Sequence, residues 1–469
     1  MIHKNDYSFI ERSIRDQIYT QLDPMEIDKL ARDCEFVQRT GSINGFTFLC
    51  LLVFNSDNLA SESLNDLTVK LELDYGISIK KQSLDERFNR HAVCFLKTAL
   101  GQLLSKQISR NNPLLLKCKY FNRILIKDSV CFQVDKTLAE YYPGSGGSGS
   151  TANVRIQFEY DLLSGQLVDL SLNAFNDQDA TNSTMTLDVI GEGDLVIRDL
   201  AYMHLNALKG IVKNLGYFLC RLQSQQDVYQ IRDGEVMKCN FGQIVKTMKK
   251  YGVEKIEERV FLDKEQEFDV RLLIYLLPEE IYQERIRKAK KNAKKKGRQL
   301  TKKFKARCKL NLFITSAEEK MISLETAWKA YTLRWQIELG FKVWKSLWKI
   351  DNVKKVKKER LECYIWSKLF IIVLSWQVLW VTNALLRKLD DQSLSFYKAS
   401  KTIIHSLDNF KQALLGGTLT TVKFLVGFFD LSRRRHLLEK KNRSNNHFPD
   451  ILFGTFSLSY DGEVIQMAG

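Results

Sequence analysis

Eighteen consecutive residues, Leu369 to Leu386, carry no charge. A helix of that composition has no solvent face, so lipid or protein must cover it on every side. Ser375, Gln377, Thr382 and Asn383 lie within the run and would lack hydrogen-bond partners in lipid, and no second such run suggests a bundle of spans. The segment therefore reads as a helix buried among others, with no membrane partner. At 469 residues the chain is long enough for two to four cores, and 45% hydrophobic residues with only 5 prolines mark it as globular. Its nine cysteines form no CxxC and stand at no zinc-finger spacing, as expected of thiols in a reducing cytoplasm. The N-terminal Met-Ile-His-Lys-Asn-Asp-Tyr-Ser-Phe-Ile has no apolar core of the kind a signal peptide needs.

A change of period organises the rest. The first ~115 residues read as helical. Asp23-Pro24-Met25-Glu26 is a helix start, with an acidic N-cap, proline at the first helical position and a carboxylate three residues after the cap. Ser63 to Leu73 is helical in period, Tyr75-Gly76 breaks it, and Ser78 is placed to cap a basic helix bearing Lys80, Lys81, Arg87 and Arg90. That pair fits either a DNA-reading helix-turn-helix or an ordinary α-hairpin. Asn111-Asn112-Pro113 closes the region.

From Phe121 the period becomes two. Ile124, Ile126, Val130, Phe132 and Val134 alternate on one face, with Asp128 among them. Val154 to Tyr160 and Leu167 to Leu172 complete an antiparallel meander. The glycine-rich Gly144–Ser150 between the first two strands lacks a Gly-Lys-Ser/Thr ending and reads as a hairpin tip, not a phosphate loop. A strand from Leu195 to Arg198, ending in Asp199, then a helix and a strand from Tyr217 to Leu222, complete an α/β mixed sheet. Strands at Lys255–Phe261 and Phe268–Leu276 follow. Next comes Arg285 to Lys309, with 14 basic residues and no acidic one. The chain's excess of positive charge is 71 − 55 = 16, so most of it is local to this strip. A solvated helix would also carry such charges, but the concentration favours contact with a nucleic-acid backbone, through Lys294, Lys295 and Lys296 among others. The boundaries expected are 1–115 helical and DNA-binding, 116–222 and 323–390 the two parts of a catalytic core, 223–322 an inserted β-containing domain, and 391–469 helical and suited to dimerisation.

The most informative segment is a helix read from Ser323 to Trp348. With Tyr331 as zero, Arg334, Glu338 and Lys345 fall at about 300°, 340° and 320°, one polar stripe. Leu333, Ile337, Phe341, Trp344 and Trp348 form an apolar stripe beside it. Arg334 and Lys342 flank Glu338 one turn away on either side. Trp335 reads first as a core tryptophan, with stacking on an extruded DNA base as its functional alternative.

Tyr331-x(2)-Arg334-x(3)-Glu338-x(6)-Lys345 matches the Y-R-E-K signature of transposases of the insertion-sequence-four family, and the chain resembles that family in order elsewhere. Ile-Lys-Asp128-Ser precedes the first hairpin, Asp199-Leu-Ala-Tyr follows the fourth strand, and Asn311-Leu-Phe-Ile-Thr precedes the helix. The resemblance covers roughly residues 115 to 350. It implies a ribonuclease-H-like core in which Asp128, Asp199 and Glu338 bind two Mg²⁺ ions, with Mn²⁺ able to substitute. It also implies that Tyr331, Arg334 and Lys345 hold the second strand during a hairpin intermediate. The partners implied are DNA, as terminal inverted repeats and as target, and a second copy of the chain in a homodimer at the bacterial nucleoid. Asp128 supports this independently, because a bare carboxylate on an apolar strand face costs several kcal/mol unless it is paired or binds metal. Asp135, Asp177, Asp179 and Asp194 compete for the same roles but are assigned to loops. A metal-dependent nuclease would share this fold but need not carry the Tyr, Arg and Lys companions of Glu338; a non-catalytic DNA-binding repressor would explain the charge and the helical N-terminus but not Asp128 on an apolar face.

Overall fold

The computed structural model describes residues 22–39, 41–106, 115–145, 151–177, 179–202, 204–223, 225–439, 448–460 and 463–464. The Asn111-Asn112-Pro113 boundary and most of the glycine-rich hairpin tip lie outside these residues. The alternating runs become strands: β1 (Lys117–Cys118), β2 (Arg123–Gln133), β3 (Asn153–Asp161), β4 (Leu167–Ala174), β5 (Asp194–Arg198), β6 (Tyr217–Arg221), β7 (Tyr229–Arg232), β8 (Glu235–Lys238), β9 (Lys255–Phe261), β10 (Asp269–Leu276), β11 (Leu310–Thr315), β12 (Leu458–Tyr460) and β13 (Glu463–Val464).

Ten of them form one mixed sheet in the order β4-β3-β2-β5-β6-β11-β10-β9-β7-β8. The meander β2-β3-β4 is antiparallel, β5 and β6 join it in parallel, and β11 returns antiparallel to β6. Strands from the expected insertion thus extend the first sheet instead of forming another. The β7–β8 hairpin turns through Asp233 and Gly234, both at positive φ, as a two-residue hairpin requires. β1 pairs with β12, which ties the start of the core to the end of the chain.

The uncharged run lies in a helix of 33 residues, Lys358–Asp390, buried from Leu361 to Arg387 except at Glu362. Among the described residues it alone is long and apolar enough to cross a membrane, and its most apolar stretch is wholly buried in the protein. One side packs on the N-terminal helices Gly45–Val53 and Arg90–Ser105. The other receives the β3–β4 turn, where Trp376 Nε1 donates to Gly165 O at 2.9 Å. A Cβ at Gly165 would stand 2.2 Å from Trp380, and φ there is +71°, so only glycine fits.

The helix start at Asp23 is present: its carboxylate accepts from Met25 N and Glu26 N at 2.8 and 3.1 Å. Ser63 caps Leu64–Tyr75 in a capping box with Asp66, and Gly76 ends that helix at φ 66°. Ser78 does not cap the next helix, Lys81–Arg87. Its hydroxyl faces Glu72, residues 76–80 belong to no helix, and Lys80 stands extended at the N-cap position. Lys80 and Lys81 are exposed, whereas Asp85 is tied to Arg360 and Lys357, so one side of this helix docks on the long helix.

Candidate active site

The helix carrying the signature is not continuous. It is two helices, Ala327–Thr332 and Trp335–Ser346, joined through Leu333 and Arg334 by i→i−3 hydrogen bonds. Three residues per turn eclipses positions three apart, so Tyr331 and Arg334 come closer in angle than a regular helix would set them. Phe313 of β11 packs its ring 5.0 Å from that of Tyr331. Ile337, Phe341 and Trp344 hold the second helix to the sheet, with Trp344 4.7 Å from Phe158 on β3.

Phe158 is the register partner of Asp128, so the two share a face, and this face presents Asp128 to the helix. Arg334 joins the carboxylates. Its Nη1 donates to Asp128 Oδ2 at 2.8 Å and its Nη2 to Glu338 Oε1 at 3.0 Å. Tyr331 OH donates to Asp199 Oδ1 at 3.1 Å, just past the end of β5. Three residues distant in sequence therefore meet through two members of the signature. Burial pushes the Asp128 carboxyl up to about 6, and the charges of Asp199 and Glu338 push the same way, against the Ser129 N–H and Arg334. Burial likewise raises the Tyr331 phenol, with the charge of Asp199 adding to it.

The remaining candidates divide. Lys345 is exposed on the same helix and donates to the Cys131 carbonyl of β2 at 3.3 Å. Lys342 turns from Glu338 and stands 5.9 Å from the Tyr397 ring. Trp335 is 58% exposed, which overturns its reading as a core residue; after the break at Arg334 the buried stripe runs through Ile337, Gly340, Phe341 and Trp344. Lys294, Lys295 and Lys296 are exposed at the end of the helix Glu279–Lys295, whereas Arg307 is buried and donates to the Gln223 and Gln226 carbonyls.

The competing carboxylates have other work. Asp194 is not in a loop but opens β5, where it is buried and paired with Arg123. Asp179 begins a short helix and binds Arg155 at 2.6 Å. Asp135 caps the turn at Thr137, and Asp177 accepts from Ala174 N.

Sequence reasoning missed the other face of the sheet. Arg198, Lys127, Glu159 and Asp169 are register neighbours in a row across β5, β2, β3 and β4, each one position from the row that holds Asp128 and Asp199. Lys127 is wholly buried, 2.7 Å from Asp169 and 3.5 Å from Glu159; Arg198 grips Glu159 at 2.8 and 3.0 Å. Burial opposes ionisation of Glu159, but Arg198 and Lys127 outweigh it and hold the carboxyl below its ordinary value. The only sequence sign was a basic residue immediately before each of Asp128 and Asp199.

A family model described as a transposase DDE domain matches residues 119–374. The chain belongs to the DDE transposases. It is 33% identical over 447 residues to a transposase for insertion sequence element IS231E of Bacillus thuringiensis subsp. finitimus, covering 92% of each chain. It is 28% identical to the transposase for IS1151 of Clostridium perfringens, over 94% of this chain and 95% of that one. A solved synaptic complex of piggyBac transposase with hairpin DNA aligns over 94% of this chain at 10% identity, with a TM-score of 0.42. The protein is thus an insertion-sequence transposase, an enzyme that cleaves DNA and transfers strands.

A DDE transposase depends on divalent metal, generally Mg²⁺. The donors present fit such an ion. All three carboxylates offer oxygen, as a hard cation prefers, and Asp128 and Glu338 are 23% and 37% exposed. Three carboxylates against one guanidinium leave an excess of two negative charges. Among the described residues no three acidic, histidine or cysteine side chains form a ready-made metal cluster. Arg334 and Tyr331 engage these oxygens instead.

Proposed function

We propose that this transposase moves its element by cut-and-paste, using Asp128, Asp199 and Glu338 as metal ligands in a ribonuclease-H-like core. The observation that carries the reading is the convergence of these three carboxylates on Arg334 and Tyr331, with charge left uncompensated. The order β4-β3-β2-β5-β6, three antiparallel strands followed by two parallel ones, supports the fold assignment. Two Mg²⁺ ions, or Mn²⁺ in their place, supply a nucleophile deprotonated at neutral pH and a stabilised leaving oxygen.

The chain's own residues bind and orient. Arg334 offers a planar fork that suits phosphate as well as carboxylate, so a DNA phosphate competes for it and frees Asp128 and Glu338. Lys345, exposed one helical face along, adds a point charge for the same backbone, and Lys342 extends that surface. Trp335, exposed beside Arg334, has a free ring face for an extruded base during a hairpin step. The strip from Arg285 to Lys309 tracks phosphates of end or target DNA, and Lys80 and Lys81 on the N-terminal helices add contacts. A homodimer at two terminal repeats, through residues 391–469, completes the reading, which belongs in the bacterial cytoplasm at the nucleoid.

The test is a time course on end-labelled transposon-end DNA, resolving nick, hairpin and flush product. Arg334→Ala and Lys345→Ala should retain part of first-strand nicking and fail at hairpin formation or opening; Arg334→Lys should also be defective, having lost the fork. Equal loss at every step would assign both residues to the carboxylate site instead.

A further inference from the structure

Behind the helix that carries Glu338 lies a cavity of about 430 Å³. Gly340 and Val343 of that helix form one wall, Trp376 and Trp380 of the long helix another, and Phe396 and Ser400 of the next helix a third. A volume of this size falls within the range of about 300–1,000 Å³ typical of small-ligand sites, and the apolar lining is typical as well.

The polar groups in that lining are the informative part. Arg387 lines the cavity and is only 9% exposed, yet among the described residues no carboxylate pairs with it. Its guanidinium lies against two rings, Phe448 at 5.4 Å and Phe453 at 5.5 Å, and its Nε has no hydrogen-bond partner. Of the nearby carboxylates, Asp390 is committed to Arg433 and Glu439 to Lys398 at 2.5 Å, while Asp391 favours the Arg387 charge without forming an ion pair with it. Two further lining atoms, Trp380 Nε1 and Ser400 Oγ, are buried without partners. Burial disfavours a cation without a counter-ion, and it lowers the pKa of Arg387 to about 10. Lys342 at the same cavity adds positive charge, and Glu439 in the lining is balanced by Lys398, so the site keeps a positive excess that favours an anion.

We infer that this cavity binds a free monoanionic amphiphile, its carboxylate on Arg387 and its aliphatic or aromatic body among Trp376, Trp380 and Phe396. The occupant would touch the back of the Glu338 helix, opposite the carboxylate site. The site shares Lys342 with the surface assigned to DNA, but Arg387 and the aromatic lining lie on other helices, and its ligand is a small molecule.

The experiment titrates the full chain with dodecanoate below its micellar concentration, with dodecanol as the neutral control, reading tryptophan fluorescence and melting temperature. Dodecanoate should saturate at one per chain and bind roughly tenfold or more tightly than dodecanol. Arg387→Met should bind the two alike. Without ligand the same variant should melt higher than wild type, since it removes an unpaired buried charge, so misfolding does not confound the result. Gly340→Leu should bind neither, because a Cβ there meets only Trp376, at 3.9 Å, and the longer side chain enters the cavity. Equal binding of acid and alcohol by wild type, no saturable binding, or a lower melting temperature for unliganded Arg387→Met would each overturn the inference. The last result would mean that Arg387 already has its counter-ion within the chain.

Discussion

Strand β2 carries two ionic clusters one residue apart, on opposite faces of the sheet. Behind it, Lys127 and Arg198 meet Glu159 and Asp169, two cations against two anions, and both Lys127 and Glu159 are wholly buried. In front, among the described residues, Asp128, Asp199 and Glu338 meet one cation, Arg334, and one further side-chain donor, the Tyr331 hydroxyl. The rear cluster is neutral and sealed; the front one keeps two unmatched negative charges and stays partly open. A balanced buried cluster fixes strand register, because a slip of one residue would separate every pair. An unbalanced, accessible one holds charge ready for a cation. Lys127 and Arg198 immediately precede the two aspartates, so the rear cluster also sets the register that brings Asp128 and Asp199 to one edge.

Breaking the rear cluster should have the largest effect on stability. Lys127→Met leaves Asp169 without its closest cation in a buried setting and should cost about 3–5 kcal/mol, read by denaturant unfolding. The double variant Lys127→Met/Asp169→Asn should recover much of that loss. If the single variant were neutral, the rear row would not be holding register through charge.

Breaking the front cluster should do the reverse. In metal-free protein the Asp128 carboxyl is pushed up to about 6, above its ordinary 3.8, so the folded state binds that proton more tightly than the unfolded chain. The associated stability is fully present below the unfolded value and is lost as pH rises through about 6. Asp128→Asn removes this loss. Relative to wild type it should gain about 2–3 kcal/mol at pH 7.5 and almost nothing at pH 3.5, while cleavage is abolished. A variant less stable than wild type at pH 7.5 would mean that the front carboxylates are structural.

The smallest effect on stability should come from the third charged region. Lys294, Lys295 and Lys296 are exposed and form no ion pair among the described residues, so replacing all three with glutamine should leave the melting temperature unchanged. The slope of log affinity for DNA against log salt should fall by about one unit per lost phosphate contact. An unchanged slope would leave the strip merely solvated.

These clusters also mark what the sequence made legible. Asp128 stood out because a carboxylate among alternating apolar residues needs a reason, and that reason is local. The strands of the meander and the buried long helix were legible for the same cause, since period and absence of charge are properties of contiguous residues. Asp194 was placed in a loop because its partner, Arg123, lies 71 positions earlier and only the fold joins them. The rear row depends on the register of four strands and has no signature in any one of them. Trp335 was misjudged because tryptophans are usually buried, whereas on the helical wheel it lies across from the stripe of Leu333, Ile337, Phe341, Trp344 and Trp348 that the structure buries. The β1–β12 pairing joins strands of two and three residues, too short to show a period.

The central claim is that Asp128, Asp199 and Glu338 together hold divalent metal. It is tested most directly by Mn²⁺ binding, followed by electron paramagnetic resonance, to the protein on uncleaved transposon-end DNA. Asp128→Asn, Asp199→Asn and Glu338→Gln should each weaken Mn²⁺ binding by roughly tenfold or more while retaining DNA, since each removes a charged oxygen ligand. Asp177→Asn, a nearby carboxylate outside the cluster, should bind Mn²⁺ as wild type does. Wild-type affinity in any of the three variants, or an equal loss in Asp177→Asn, would contradict the assignment.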